Sequence, residues 1–171
     1  MIISLRTYAD AYVQAFPAKG DVVKAFDAMA DVIRSTTPLR AFLEDESVPI
    51  ASRRKALTEA LPGVEDETVN FITLLATDGR LEDLEPLKQH VRSARAREEG
   101  KRHAIVESVI ALKPGEMERI THALGKRLGT DVLLEQHTEP SLLAGLRIIS
   151  DGWTFDASLK NRLQRLEQTL Q

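Results

Sequence analysis

Apolar residues recur along the first hundred positions with the period of an α-helix. Leu5, Tyr8, Ala9, Tyr12 and Phe16 share one stripe, which predicts a helix from about Ser4 to Phe16, stopped by Pro17 and Gly20. Asp21 is placed to cap a second helix, whose apolar stripe is Val22, Phe26, Met29, Ala30 and Ile33 and which ends at Thr36-Thr37-Pro38. A short helical turn is expected from Leu39 to Leu43. Ser47 or Pro49 opens a further helix carrying Ile50, Ala56, Leu57 and Leu61, closed by Pro62-Gly63. Glu65 to Thr77 makes a fifth, ending around Asp78-Gly79, and a long sixth runs from near Leu81 to about Gly100. The connections are short, which favours antiparallel packing of neighbours in a bundle.

The fifth helix is apolar on two faces. Phe71, Leu74 and Leu75 form one; Val69, Ile72 and Ala76 form another, rotated away from it. Such a helix is either central in a bundle or keeps one face for a partner, and the pattern alone favours the central position.

After His103 the apolar period shortens toward two. Ala104 to Leu112, rich in β-branched residues, reads as a strand. Pro114-Gly115 opens a helix through about Leu128, with Met117, Ile120, Thr121, Leu124 and Leu128 on one face, ended by Gly129. Asp131 to Gln136 and Leu146 to Ile149 read as further strands. Asp151-Gly152 reads as a hairpin turn into a fourth strand, Trp153 to Phe155. Asp156 or Ser158 would cap a last helix carrying Leu159, Leu163, Leu166 and Leu170. The expected fold is α+β: an all-α bundle over residues 1–102, then a small α/β domain over 103–171 with a few-stranded sheet and a C-terminal helix.

Composition narrows the chemistry. The chain has 171 residues, 43% apolar and 29% charged, which suits a globular protein with a real core. There is no cysteine, so disulfides, thiolate metal sites and a cysteine nucleophile are excluded. A formal net charge of −3 argues against a dedicated nucleic-acid binder. No apolar run could span a bilayer, and Met1 to Arg6 does not resemble a secretory leader.

The end of the sixth helix is densely charged (Arg92, Arg95, Arg97, Glu98, Glu99, Lys101, Arg102). Mixed signs and no interleaved aromatics point to a solvated helix end leading into a hinge at Gly100 rather than a phosphate-binding stripe.

Each catalytic signal fails a requirement. Around Gly125-Lys126 a phosphate-binding loop would need Gly at Ile120 and Ser or Thr at Arg127. His90, His103, His122 and His137 are far apart in sequence and form no HExxH pattern. Asp151 and Asp156, flanking Trp153, are better read as a turn residue and a helix cap than as an acid–base pair. No catalytic residue, metal or cofactor is expected, and the plentiful apolar helix faces favour a binding or structural protein.

Three groups of residues resemble a known family. Tyr8-Ala9-Asp10-Ala11 resembles the Tyr-Ala-x-Ala opening of the delta subunit of F-type ATP synthases. Asn70-Phe71, Leu74-Leu75 and Gly79-Arg80-Leu81 resemble that family's Asn-Phe-x-x-x-Leu followed by Gly-Arg-Leu. Pro140-Ser141-Leu142-Leu143-Ala144-Gly145, with Asp151, Asp156, Ser158, Leu163 and Leu166, resembles its C-terminal signature. The resemblance spans the whole chain in the family's order. Thr7, Ala144 and Ser150 depart from the family's usual Arg, Gly and Gly, and the last two would alter strand-end geometry if positive φ were needed there.

The resemblance implies a six-helix N-terminal bundle and a smaller α/β domain, related to the mitochondrial oligomycin-sensitivity-conferring protein. It implies a non-catalytic stator subunit of the peripheral stalk. Its bundle would grip N-terminal helices of the α subunits on the catalytic head, and its C-terminal domain would join the b subunits, resisting rotation during proton-driven ATP synthesis. In the family the first and fifth helices form the groove for the α helix. Here that singles out Tyr12, Val13, Val69, Ile72 and Ala76, with Ile72→Asp expected to weaken head binding without unfolding the bundle. For the b subunits it singles out Trp153, Leu159, Leu163 and Leu166. The expected location is the cytoplasmic face of a bacterial plasma membrane, peripheral and held there only through the complex, without nucleic acid. The competing reading is a stand-alone helical adaptor or RNA-associated factor using Arg92 to Arg102.

Overall fold

The computed structural model describes residues 4–16, 21–150, 153–158 and 161. It divides into two compact units, Met1–Arg95 and Ala96–Gln171. The arrangement is α+β: helices first, then a four-stranded mixed sheet with one helix crossing between its parallel strands.

The first unit contains α1 (Leu5–Ala15), α2 (Val22–Ser35), α3 (Thr37–Glu44), α4 (Ile50–Ala60) and α5 (Asp66–Thr77), then a 3-10 turn, Leu81–Asp83, and most of α6 (Leu84–Glu98), within which the unit boundary falls. Local chemistry sets the starts. The Ser4 hydroxyl accepts the Thr7 N–H and the Asp21 carboxylate accepts the Lys24 N–H, each relieving an orphan donor of a first turn. Pro38 does not merely end α2. It sits in the first turn of α3, where its missing N–H has no acceptor to lose, so α3 is longer than the expected turn.

The core of this unit is aromatic at its centre. The Tyr12 ring stacks on Phe71 at 4.6 Å between centroids and meets Phe16 and Phe26 at 5.7 and 5.6 Å. Ile33, Leu43, Leu57, Ile72, Leu75 and Leu87 are fully buried around it. Polar ties close the periphery. Lys88 and Arg92 on α6 reach Asp31 and Asp27 on α2 at 2.7 and 2.6 Å. The contact with Lys88 holds the Asp31 carboxyl below its ordinary range. The buried Arg53 donates to the Asp45 carbonyl at 2.7 Å and pins the loop between α3 and α4.

The second unit contains β1 (Arg102–Ser108), α7 (Pro114–Leu128), β2 (Val132–Thr138), a 3-10 turn Pro140–Leu142, β3 (Leu146–Ser150) and β4 (Trp153–Asp156). The sheet order is β2-β1-β3-β4. β1 is parallel to β2, as the intervening helix requires, and antiparallel to β3, which is antiparallel to β4. Having a partner on each side explains the unbroken burial of His103 to Val106. The strand expected to reach Leu112 ends at Ser108, the last residue paired with β2 and β3; beyond it Ile110 is 73% exposed. Ala104, Val106 and Ile148 meet Leu124 of α7 in a small core, with Met117, Ile120 and Trp153 packed against it.

The loop from β2 to β3 is tight. The Ala144 N–H reaches back to the Leu142 carbonyl at 2.8 Å, closing a γ-turn that puts Leu143 at φ +66°. Gly145 follows at φ +87°, and a Cβ there would lie 2.4 Å from the Ala157 carbonyl oxygen. Neither Ala144 nor Ser150 adopts positive φ, so the two departures from the family's glycines distort neither site. The expected Asp151-Gly152 turn, and the helix carrying Leu159, Leu163, Leu166 and Leu170, lie outside the described residues. The capping expectation can be read up to Asn161: the Asp156 carboxylate accepts the Ser158 N–H, and the Ser158 hydroxyl accepts the Asn161 N–H.

Gly145→Ala combines a left-handed backbone with a clash against fixed backbone. It should destabilise the second unit by about 2–3 kcal/mol, read as faster hydrogen exchange of the β1 and β3 amides. Ala144→Gly should stay within about 1 kcal/mol of the parent. Equal protection in Gly145→Ala and the parent would contradict the packing described.

Candidate functional site

The described residues offer little to chemistry. None of them forms a group of three or more His, Cys, Asp or Glu able to hold a metal ion. The His103 and His137 rings both turn to one carboxylate, Glu135, each at 3.1 Å. The Asp156 carboxylate is occupied by the backbone turn ahead of Ser158. No helix among the described residues is long and apolar enough to cross a membrane.

What the first unit does present is a groove. α1 and α5 lie side by side and antiparallel, because Tyr12 meets Thr68 near the start of α5 while Tyr8 meets Asp78 just past its end. Burial of the Tyr12 ring and hydroxyl is satisfied locally. The hydroxyl donates to the Val22 carbonyl and shares a 2.8 Å hydrogen bond with the Thr68 hydroxyl. Burial, reinforced by the negative fields of Glu65 and Glu67, pushes its pKa well up, so the group stays neutral. Tyr8 donates to the Asp78 carboxylate at 2.6 Å, which raises the phenol's pKa. The Arg80 guanidinium lies 5.2 Å over the Tyr8 ring and its Nε reaches Asp83 at 2.7 Å. Two motifs separated by about seventy positions in sequence thereby meet at one end of the groove.

The groove has a volume of about 290 Å³. Tyr8, Tyr12 and Phe71 make its floor, Ala11 and Ala15 one wall, and Glu67, Asn70 and Leu74 the other. Leu74 is 47% exposed, although its helix neighbours Phe71 and Leu75 are buried. A large aliphatic side chain left half in water beside an apolar concavity marks a surface built for contact.

The face of α5 expected to meet a partner lies inside the unit. Val13, Val69, Ile72 and Ala76 are all buried in the unit's own core, so they have no surface to offer a partner. α5 packs against α1, α2, α3 and α4, and the stripe Val69, Ile72, Ala76 is the side that meets that core. Phe71 and Leu75 of the other apolar face are buried as well, and Leu74 alone of the three turns outward. Tyr12 reaches the groove, but only as its floor. Ala11 and Asn70, read from the sequence as family motif residues but not as partner contacts, line the groove together with Ala15; the signal available was the pair of small residues one turn apart on the first helix. Of the residues expected to meet the b subunits, Trp153 is half-buried in β4, its buried indole N–H without an acceptor among the described residues. Leu159, Leu163 and Leu166 lie outside the described residues. In the charged segment, Arg92 is engaged by Asp27 and Lys101 by Glu99, which leaves less free cation than the sequence suggests.

Residues 5–170 match the model of the family described as ATP synthase delta (OSCP) subunit. The ATP synthase subunit delta of Thioalkalivibrio sulfidiphilus is 31% identical over 96% of this chain and 94% of its own length. The mitochondrial ATP synthase subunit O of Arabidopsis thaliana is 27% identical over 83% of this chain and 61% of its own. A chain of the cryo-EM structure of the Toxoplasma gondii mitochondrial ATP synthase hexamer shares the fold, with a TM-score of 0.66 at 19% identity, covering 99% of this chain and 98% of that one.

The two faces of α5 should respond differently to the same charge. Ile72→Asp buries a carboxylate without a partner and should cost at least about 4 kcal/mol, melting the first unit. Leu74→Asp should change stability by about 1 kcal/mol or less. Thermal unfolding followed by circular dichroism distinguishes them; equal melting temperatures for the two variants would overturn the face assignment.

Proposed function

The chain belongs to the ATP synthase delta (OSCP) subunit family, and from that membership we propose how this non-catalytic peripheral-stalk subunit makes its connections. The groove between α1 and α5 takes an N-terminal helix of an α subunit of the catalytic head. The second unit, with Trp153 in β4 and the segment around Leu159, Leu163 and Leu166, takes the b subunits. In this reading α1 to α6 are the family's six-helix bundle, residues 103–171 its C-terminal domain, and the protein works at the cytoplasmic face of a bacterial plasma membrane, held there through the complex. The observation that carries it is the apolar groove between α1 and α5, with Leu74 half-exposed on its wall.

The physics suits the task. Rotation of the central stalk drags on the head, and the stator must hold the head without catalysing anything. A helix laid in an apolar groove gains free energy in proportion to the apolar area it removes from water, about 25 cal/mol per Å². Affinity built in this way resides largely in slow dissociation. Joining a head contact and a stalk contact in one chain raises the effective concentration of each for the other, so neither must be extremely tight alone.

Leu74→Asp, introduced into the assembled synthase in inverted membrane vesicles, should leave ATP hydrolysis by the head intact while ATP-driven proton pumping falls severalfold or more. Pumping and hydrolysis both at the parent level would contradict the assignment of the groove.

A further inference from the structure

The groove is chemically lopsided. Among the described residues its one charged lining side chain is Glu67, at the end where α5 begins. Glu65, Asp66 and Glu67 are consecutive there. Asp66 faces Arg54 at 3.7 Å while itself 84% exposed, a weak surface pair. Neither Glu65 nor Glu67 pairs with a cation among the described residues. Their field is felt inside the groove, since both carboxylates disfavour ionisation of Tyr12 on its floor. The α5 amino end favours these acids energetically but leaves the Glu67 charge on the groove wall.

The opposite end differs. There Asp78 is taken by the Tyr8 hydroxyl, and Arg80 is held between the Tyr8 ring and Asp83. Between the two ends lie Phe71 and Leu74, with Ala11 and Ala15 facing them across the groove. Small side chains on that wall admit the backbone of an occupying helix closely.

Resting on the reading of this groove as the seat of the α subunit's N-terminal helix, we propose that its occupant is an amphipathic helix with a Lys or Arg set against Glu67 and a large apolar residue about two turns away set against Leu74 and Phe71. The spacing follows from α5 itself. Glu67 and Leu74 are seven residues apart, two turns and about 10.5 Å of helix rise. A helix lying along α5 matches that span with the same seven-residue interval. The apolar residue supplies the burial, and the cation fixes register and direction, because a helix laid the other way would carry its charge to the end where Asp78 and Arg80 are already engaged.

The test uses the full chain and a fluorescent peptide of the N-terminal segment of the α subunit from the same organism. Anisotropy titrations are run at low and high salt. The parent should bind, and more weakly as salt rises. Glu67→Lys should lose about tenfold in affinity at low salt, with Glu67→Gln falling between. A peptide whose cation is changed to Glu should bind the Glu67→Lys chain better than it binds the parent. Circular dichroism checks that the variants are folded; were Glu67→Lys unfolded, Glu67→Gln and the salt dependence would still decide. Binding of the parent that is indifferent to salt, to Glu67→Gln and to Glu67→Lys would overturn the charge assignment while leaving the groove as the seat. No binding to the parent, alongside Leu74→Asp vesicles that still pump protons, would overturn the seat and the proposal with it.

Discussion

Tyr12 is the constraint on which the first unit depends. A tyrosine buried to this extent must pack its ring and also find partners for its hydroxyl, since an unmet polar group in the core costs about 1–3 kcal/mol. Here the ring stacks on Phe71 and touches Phe16 and Phe26, while the hydroxyl meets Thr68 and the Val22 carbonyl. Those contacts fix α1 against both α5 and the start of α2. They set the rotation of α5: with Phe71 under Tyr12 and Thr68 at its hydroxyl, the Val69, Ile72 and Ala76 stripe turns into the core and Leu74 turns out. The exposed groove is therefore a consequence of how the core is satisfied. Tyr8 completes the arrangement one turn earlier on α1, using Asp78 and Arg80 beyond the end of α5 to fix the antiparallel pair at its other end.

The second unit solves a different problem with fewer residues. Its core is small, and its one parallel strand pair demands a crossover helix that shields Ala104 and Val106. The return to β3 passes through a γ-turn at Leu143 and a glycine whose missing side chain lets the Ala157 carbonyl approach. One chain thus carries a helical unit with a groove and a sheet unit with its own core, which fits a non-catalytic subunit of the peripheral stalk.

Most elements were legible in the amino-acid pattern because their cause is local. The stripes of α1 and α2, the capping Asp21, the glycine closing α7 and the mixed strand-and-helix character after His103 all appear where the periodicity places them. The misreadings have tertiary causes. Pro38 stops one helix but also starts the next, a choice set by the chain's direction after Thr36. The apolar run after Ser108 resembles a strand, but strand needs a partner and none extends that far. The two apolar faces of α5 are indistinguishable by period, since both have helical spacing. Both are buried, and the position of the Tyr12 ring over Phe71 leaves Leu74 as the apolar residue that turns out. Tyr8 and the Gly79-Arg80-Leu81 segment could be recognised separately as family features, but their direct contact could not be inferred from either alone.

What Leu74 touches in the working assembly is the most direct test of the groove's role. The chain has no cysteine, so Leu74→Cys carries a unique thiol to which a photo-activated cross-linker can be attached. In the intact synthase, illumination should join that position to the N-terminal segment of an α subunit. The same probe at Ile50→Cys, 56% exposed on α4 and outside the groove, should not make that product. A chain that assembles and couples normally but yields no α-subunit product from Leu74→Cys would contradict the claim that the packing of Tyr12 leaves this face open for the catalytic head.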